Sequence, residues 1–328
     1  MADIGKSHVY GENNKKKPVI VLTGPTAVGK TKLSLSLAGA VRGSIISADS
    51  VQVYRGLDIG SDKLPVSERM GIPHYLIDVL DPDQDFNVYL FQKMAREAME
   101  EIWASGRIPV IVGGTGFYIQ AVLRDIDFTE EDGKSDIRTM LEEKAEEEGP
   151  EKLYEMLKSV DPAAAESIHP NNVRRVIRAL EFHEQTGELI SEHNEEQREK
   201  KSPYNFLYFV LDDDRKILYS RIEERVDSMI SKGLVDEVKG LIDQGLNEDS
   251  PSMKALGYRE LFPYFHGECT LDEAVQQIKT DTRHFAKRQL TWFRREDDVI
   301  WIEKEDFDRD EQQILDYILM LCRAKHIL

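Results

Sequence analysis

The run Gly24-Pro25-Thr26-Ala27-Val28-Gly29-Lys30-Thr31 fits the eight-position pattern G-x-x-x-x-G-K-[ST], directly after the apolar stretch Val19 to Leu22 and opening a helical pattern that carries Leu33. A buried strand, a glycine-rich turn and a helix in that order point to an open α/β sheet with a phosphate loop at the end of its first strand. Glycines let backbone N–H groups converge on phosphate oxygens, and the helix N-terminus adds partial positive charge. Lys30 supplies a mobile cation and Thr31 a hydroxyl for Mg²⁺. Such a loop identifies a diphosphate or triphosphate but not what carries it. The chain contains no D-x-x-G and no N-K-x-D element, which argues against guanine-nucleotide switching and leaves kinase-like or other transferase chemistry.

Apolar runs bounded by turn residues recur at Ser44 to Ile46, Tyr75 to Val79, Ile108 to Val112, Phe206 to Leu211 and Val299 to Ile302, and each reads as a buried strand. Helical spacings lie between them, as in Leu33, Leu37 and Val41, or Phe91, Ala95, Ala98 and Ile102. Strand alternating with helix predicts a parallel sheet. The alternation breaks from about Phe128 to Pro203, where the chain is charged, helix-rich and nearly strandless. The expected organisation is therefore a P-loop NTPase-like α/β core over 18–127 and 204–328, an inserted helical domain over 128–203 and a polar tail over 1–17. With 328 residues, a two-part chain also matches the size at which single cores stop growing. Arg221 to Leu241 reads as one long amphipathic helix with Ile222, Val226, Met229 and Ile230 on one side, and Glu311 to Cys322 as a packing helix. The acidic run Glu142 to Glu148 reads as a solvated helix face, and Asp212-Asp213-Asp214-Arg215 as a helix start with an N-cap aspartate rather than a metal site.

No apolar run approaches the roughly 18 residues of a membrane helix, and the tail lacks the apolar stretch of a secretory signal, so a cytoplasmic protein is expected; a monomer is expected as well. Cys269 and Cys322 are too few for a disulfide framework or a four-cysteine zinc site. A net charge of −18 excludes whole-surface attraction to nucleic acid but leaves room for a local basic groove.

Asp49 follows the second strand, at the sheet edge where open α/β folds bind ligands. Read alone, its carboxylate is either a helix N-cap or a group that accepts a proton or helps hold Mg²⁺. The surrounding blocks carry further information. Asp49-Ser50-x-x-x-Tyr54-x-Gly56-x-Asp58-Ile59-Gly60-Ser61, Pro73-His74-Tyr75-Leu76-Ile77-Asp78, Val112-Gly113-Gly114-Thr115-Gly116-x-Tyr118, Ile168-His169-Pro170-Asn171, Arg178-Ala179-Leu180-Glu181, Gly257-Tyr258 and Ala286-Lys287-Arg288-Gln289-x-Thr291-Trp292 follow one another along nearly the whole chain. This ordered set closely resembles the tRNA dimethylallyltransferases, also called tRNA isopentenyltransferases, of the bacterial type.

The resemblance implies transfer of a dimethylallyl group from dimethylallyl diphosphate to N6 of the adenosine 3′ of the anticodon, with Mg²⁺. The loop Gly24 to Thr31 then holds a leaving diphosphate, with Thr31 towards the metal. The resemblance further implies that Asp49 accepts the N6 proton, that Thr115 hydrogen-bonds the diphosphate near the reacting carbon, and that Arg225 contacts the donor. Without it, Thr115 would read as a structural turn residue and Arg225 as an ordinary helix-surface base. RNA contacts are implied at Asp49, Ser50, Val51, Gln52, Thr115, Arg138, Asn172, Arg174, Arg175 and Arg178, with the Gln52 amide suited to an adenine edge. The alternative for the arginines is i,i+4 or i,i+3 pairing, as between Arg178 and Glu181. A second basic stretch, Arg283 to Arg295, is interleaved with Phe285, Trp292 and Phe293, which could equally pack in the core. The rival functions are a small-molecule or nucleotide kinase, a prenyltransferase acting on free AMP or ADP, and a non-enzymatic RNA-binding module.

Overall fold

The structure is a computed structural model that describes residues 16–128 and 135–328. Of the tail expected over 1–17, residues 1–15 lie outside the described residues. β1 (Pro18–Thr23), β2 (Gly43–Ala48), β3 (His74–Tyr75), β4 (Ile108–Gly113), β5 (Asn205–Asp212) and β6 (Val299–Glu303) form one parallel sheet in the order β3-β2-β4-β1-β5-β6. β1 lies at its centre, with Ile20 opposite Val110 on one side and Leu207 on the other.

Helices cover both faces, which is why the strands read as unbroken apolar runs. Ile20 and Leu22 point into a core with Leu33 and Leu37 of α1 (Lys30–Ala40). Val19 and Val21 point the other way, towards Phe91, Ala95 and Ile102 of α2 (Val88–Ala104) and Ile119 and Val122 of α3 (Gly116–Leu123). Among the described residues, the helices that then leave the sheet are α4 (Asp136–Glu148), α5 (Pro150–Val160), α6 (Pro162–Ser167), α7 (Val173–Thr186) and α8 (Ile190–Glu199). They share a core of their own, built on Leu141, Leu153, Leu157, Val176 and Leu180. The acidic face of α4 is solvated, with Leu141 its buried residue.

After β5 come α9 (Arg215–Ser231), α10 (Leu234–Asp243), the short α11 (Phe262–Phe265), α12 (Leu271–Phe293) and α13 (Glu311–Ala324). α12 opens with a capping box, Thr270 and Glu273 bonding each other's backbone N–H. Val226 of α9, Val238 and Leu241 of α10 and Ile278 of α12 form a third core with Val53, Tyr54 and Leu57, fixing the loop that follows β2. Among the described residues no helix is long and apolar enough to cross a membrane. Cys322 is buried in the α13 packing layer.

Two expectations need correction. The third strand is two residues long rather than five, because Leu76 and Asp78 take φ of 61° and 57°, and the Asp78 and Val79 N–H groups bond Gln52 and Val53 carbonyls instead of a ladder. The single helix expected over Arg221 to Leu241 is two, broken where Gly233 adopts φ 99° and its N–H closes on the Ile230 carbonyl. Ile222, Val226 and Met229 are buried in α9, and Ile230 is half-buried. Asp214 is the N-cap of α9, accepting from Lys216 and Ile217, while Asp213 holds Arg221 at 2.8 Å and Arg309 at 3.0 Å.

Candidate functional site

The phosphate loop leaves β1 at Gly24, whose φ of 142° and whose position against β5 both require glycine: a Cβ there would stand 2.4 Å from the Leu211 carbonyl oxygen. α1 begins at Lys30 with Gly29 as its N-cap, so no side chain caps it and no acidic residue lies in its first turn. The unpaired N–H groups of that turn are thus free to meet an anion. Lys30 folds back over the loop, donating to the carbonyls of Gly24 at 3.0 Å and Pro25 at 2.7 Å. Burial, then the charge of Arg225, bring its pKa down to about 7 against the opposing pull of Asp49. A diphosphate would supply the missing countercharge. The Thr31 side chain is exposed at the start of α1.

Arg225 enters from α9, with Nη1 3.2 Å from the Thr26 hydroxyl and Nη2 3.4 Å from Asp62. Its pairing with the loop required the tertiary fold, since α9 lies on the far side of the helical insertion in sequence.

Asp49 sits one residue beyond β2. Its Oδ1 accepts from the N–H groups of Val51 at 2.8 Å and Gln52 at 3.3 Å, so it shapes the turn while its charge also reaches Lys30. The capping and chemical readings are therefore compatible. Gly113 lets β4 end hard against β2, because a Cβ there would lie 2.1 Å from the Ala48 carbonyl oxygen. The Thr115 N–H closes on that same carbonyl at 3.3 Å. Thr115 is the N-cap of α3 yet makes no side-chain cap hydrogen bond, so its hydroxyl is not consumed by the helix. Asp49 and Thr115 consequently stand at adjacent strand ends, beside the loop from β1.

Gln52 is tied into the chain at both ends of its amide. Its Oε1 accepts from Ser47 and its Nε2 donates to the Ser61 carbonyl, one bond at each end, so the side chain is held in the loop after β2. Ser50 is exposed and Val51 half-buried next to it. Tyr118, stacked on Phe91 at 4.7 Å and edge-on to Phe86 at 5.7 Å, feels the Asp49 charge, and burial pushes its hydroxyl pKa up.

The basic residues separate into two groups. Asn172, Arg174 and Arg175 are exposed at the start of α7. Arg138 instead donates from Nε at 3.2 Å and Nη2 at 2.6 Å to Glu181, a fully buried carboxylate that also pairs with Arg178 at 3.5 Å and accepts from Ser135. Their guanidinium groups neutralise a charge inside the helical bundle. On α12 His284, Lys287 and Arg288 are exposed, as are Arg294 and Arg295 just after it, whereas Phe293 is fully buried and Phe285 and Trp292 are half-buried.

Two residues that matter to this geometry received no role from the sequence. Glu237 of α10 accepts from the N–H groups of Asp58, Ile59 and Gly60 at 2.8–3.1 Å and from the Tyr258 hydroxyl at 2.7 Å, locking the loop after β2. Gln289 of α12 bridges the phosphate loop and the Gly113–Gly116 loop. Gln289 lies in the block Ala286 to Trp292, which carries the resemblance without giving it a role, and Glu237 lies in none of the quoted blocks; both act mainly on backbone groups of distant segments. Among the described residues no cluster of three His, Cys, Asp or Glu is placed to hold a metal ion. A cation here would rely on the Thr31 hydroxyl and on ligand oxygens, the manner in which Mg²⁺ joins phosphate substrates.

The family model described as IPP transferase matches residues 52–296, and one described as isopentenyl transferase matches residues 17–78. The tRNA dimethylallyltransferase of Lachnoclostridium phytofermentans is 55% identical over 311 residues, covering 95% of this chain and 99% of the relative. That of Bacillus pumilus is 49% identical over 306 residues, covering 92% and 96%. The crystal structure of the full-length tRNA isopentenylpyrophosphate transferase from Bacillus halodurans superposes with a TM-score of 0.71 at 43% identity, over 95% of this chain and 98% of that one. A eukaryotic dimethylallyltransferase caught acting on tRNA gives a TM-score of 0.77 at 31% identity, over 88% and 74%. With a phosphate loop, a carboxylate and a threonine at neighbouring strand ends, and this likeness along its length, the chain belongs to the tRNA dimethylallyltransferase family.

Proposed function

We propose that the protein transfers a dimethylallyl group from dimethylallyl diphosphate to N6 of the adenosine 3′ of the anticodon in tRNA, releasing diphosphate. The observation that carries this reading is the convergence of Lys30, Arg225 and the uncapped start of α1 on one side, with Asp49 and Thr115 at the neighbouring strand ends on the other. The first group suits a departing diphosphate and the second suits an amine that must lose a proton.

In the reaction a carbon–nitrogen bond forms between N6 and the allylic carbon as the carbon–oxygen bond to diphosphate breaks. The electron pair leaves with the diphosphate, and the surplus N6 proton passes to the Asp49 carboxylate. Adenine N6 is a weak nucleophile because its lone pair is delocalised into the ring, so proton acceptance and positioning do the work that intrinsic reactivity cannot. Lys30 and Arg225 stabilise the charge that develops on the leaving group, and the Thr115 hydroxyl is free to donate to the bridging or neighbouring oxygen. Bound Mg²⁺, held by Thr31 and diphosphate oxygens, would add further neutralisation of the leaving group.

To reach the carboxylate, the target base must leave its stack in the anticodon loop. The helical bundle, with exposed Asn172, Arg174 and Arg175, and the cations along α12 offer phosphate contacts on an otherwise acidic chain. The test is mass analysis of a tRNA before and after incubation with protein, Mg²⁺ and dimethylallyl diphosphate. One five-carbon unit should appear on a single anticodon-loop adenosine with release of one diphosphate. ATP-dependent phosphorylation of a small acceptor with no change in tRNA mass, or prenylation of free AMP or ADP in preference to tRNA, would overturn the reading.

A further inference from the structure

We infer that Gln289 is a positioning residue that sets the separation between the donor cradle and the acceptor side of the site, by tying the phosphate loop to the Thr115 loop through one amide. The inference rests on the prenyl-transfer reading. Gln289 is 6% exposed, on the inner face of α12. Its Oε1 accepts from the Thr26 backbone N–H at 2.9 Å, and its Nε2 donates to the Gly114 carbonyl at 3.0 Å. The two partners fix which end of the amide points where, since a flipped amide would set donor against donor and acceptor against acceptor.

Thr26 is the same residue whose hydroxyl accepts from Arg225, and Gly114 immediately precedes Thr115. One side chain therefore spans the two halves between which the allylic carbon must travel. Gly114 is shaped to receive it: a Cβ at that position would lie 2.1 Å from Nε2. Next along the strand end, a Cβ on Gly116 would meet the Trp292 ring at 2.1 Å, so α12 seats on this loop through two glycines. Burial of both amide ends makes the bridge intolerant of partial loss, because either partner left unpaired is a buried polar group. Gln289 contacts the loops around the donor and the base rather than either group itself. It acts on the distance between groups that touch them, and misplacement by about 1 Å can lower a rate about 10²-fold.

The test compares wild type with Gln289→Met, which keeps the volume and loses both hydrogen bonds, and Gln289→Glu, which keeps the acceptor for Thr26 and loses the donor for Gly114. Single-turnover transfer at saturating tRNA and donor should fall about 10- to 100-fold in the Met variant, with tRNA and donor dissociation constants within about 3-fold of wild type. The Glu variant should lose at least as much rate, again with donor affinity near wild type, because its second oxygen sets acceptor against acceptor at the Gly114 carbonyl. Gly114→Ala should mimic the Met variant, and combining the two should add little, since both break the same bridge. A Met-variant rate within about 3-fold of wild type overturns the inference. So does a loss of rate matched by an equal loss of donor affinity, which would mark a purely structural residue. Should the Met variant fail to fold, the isosteric Glu variant carries the same comparison. Failure of the wild type itself to prenylate tRNA would refute the functional reading and not the bridge.

Discussion

Arg225 and Thr26 are 199 positions apart in the chain, yet the Arg225 guanidinium lies 3.2 Å from the Thr26 hydroxyl. This contact makes α9 a wall of the phosphate loop and sets a guanidinium beside the place proposed for the donor diphosphate. Arg225→Ala should lower kcat/KM for dimethylallyl diphosphate about 10²-fold, with tRNA affinity unchanged. Arg225→Lys should recover only part of this, because an ammonium cannot bond Thr26 and Asp62 in the same planar fork. Steady-state kinetics with the donor varied at saturating tRNA decide it; a change confined to tRNA binding would remove Arg225 from the donor site.

Asp49 caps the turn through Oδ1 and, in the proposed reaction, accepts the N6 proton, and the two duties can be separated. Asn at this position can still accept from Val51 and Gln52 through its carbonyl oxygen but cannot take the N6 proton. Asp49→Asn should therefore lower kcat strongly while melting temperature and tRNA affinity stay near wild type. Asp49→Ala should lose the rate and also about 1 kcal/mol of stability through the missing cap, measured by denaturant titration. An Asn variant with near wild-type kcat would leave Asp49 as a turn residue only.

Why were the loop and Asp49 legible in the sequence while the bridge and the clasp were not? Gly24 to Thr31 and Asp49 follow strand ends directly, so local order along the chain already places them at the sheet edge. Gln289 and Glu237 act on main-chain groups of segments more than 170 positions away, and main-chain partners leave no trace in residue identity. The third strand is short because backbone conformation overrides composition: Tyr75 to Val79 is apolar enough for a strand, but positive φ at Leu76 and Asp78 turns it towards the loop after β2. The break at Gly233 was visible as a glycine inside a helical pattern, and the apolar spacing on either side masked it.

The cations of the helical bundle should divide by experiment as they divide in the structure. Arg174→Ala and Arg175→Ala, both exposed, should weaken tRNA binding and each reduce the slope of log affinity against log salt by about 0.7 to 0.9, without affecting the melting temperature. Arg138→Ala should act first on stability, by about 1.5–3 kcal/mol, because it withdraws two hydrogen bonds from the buried Glu181 carboxylate. Filter binding across a salt series alongside thermal melting reads both effects. A full salt-slope loss with unchanged stability in the Arg138 variant would assign that guanidinium to RNA phosphate instead.

Lys30 carries a pH signature that follows from its surroundings. Burial and the neighbouring Arg225 bring its pKa down to about 7 from the ordinary 10.5. Between those values the unfolded chain holds a proton that the folded, ligand-free protein has released, so the contribution of this group to stability rises with pH across that window and is unfavourable below it. Lys30→Met should melt above wild type at pH 7, and the gap should narrow as pH approaches 10. Donor binding has the opposite sense. Phosphate oxygens against Nζ favour the ammonium, so dimethylallyl diphosphate should draw a proton onto Lys30, and its affinity should weaken as pH rises above about 7. Lys30→Arg stays charged throughout and should show neither the proton uptake nor that part of the pH slope, which cancels the donor's own titration from the comparison. Calorimetry in two buffers of different ionisation enthalpy measures the uptake directly. Lys30→Ala, with no cation at all, should lower transfer about 10²- to 10³-fold. Equal proton uptake in wild type and the Arg variant would show that Lys30 is already charged in the empty loop, and its role would then be that of a fixed cation instead of one that the donor itself switches on.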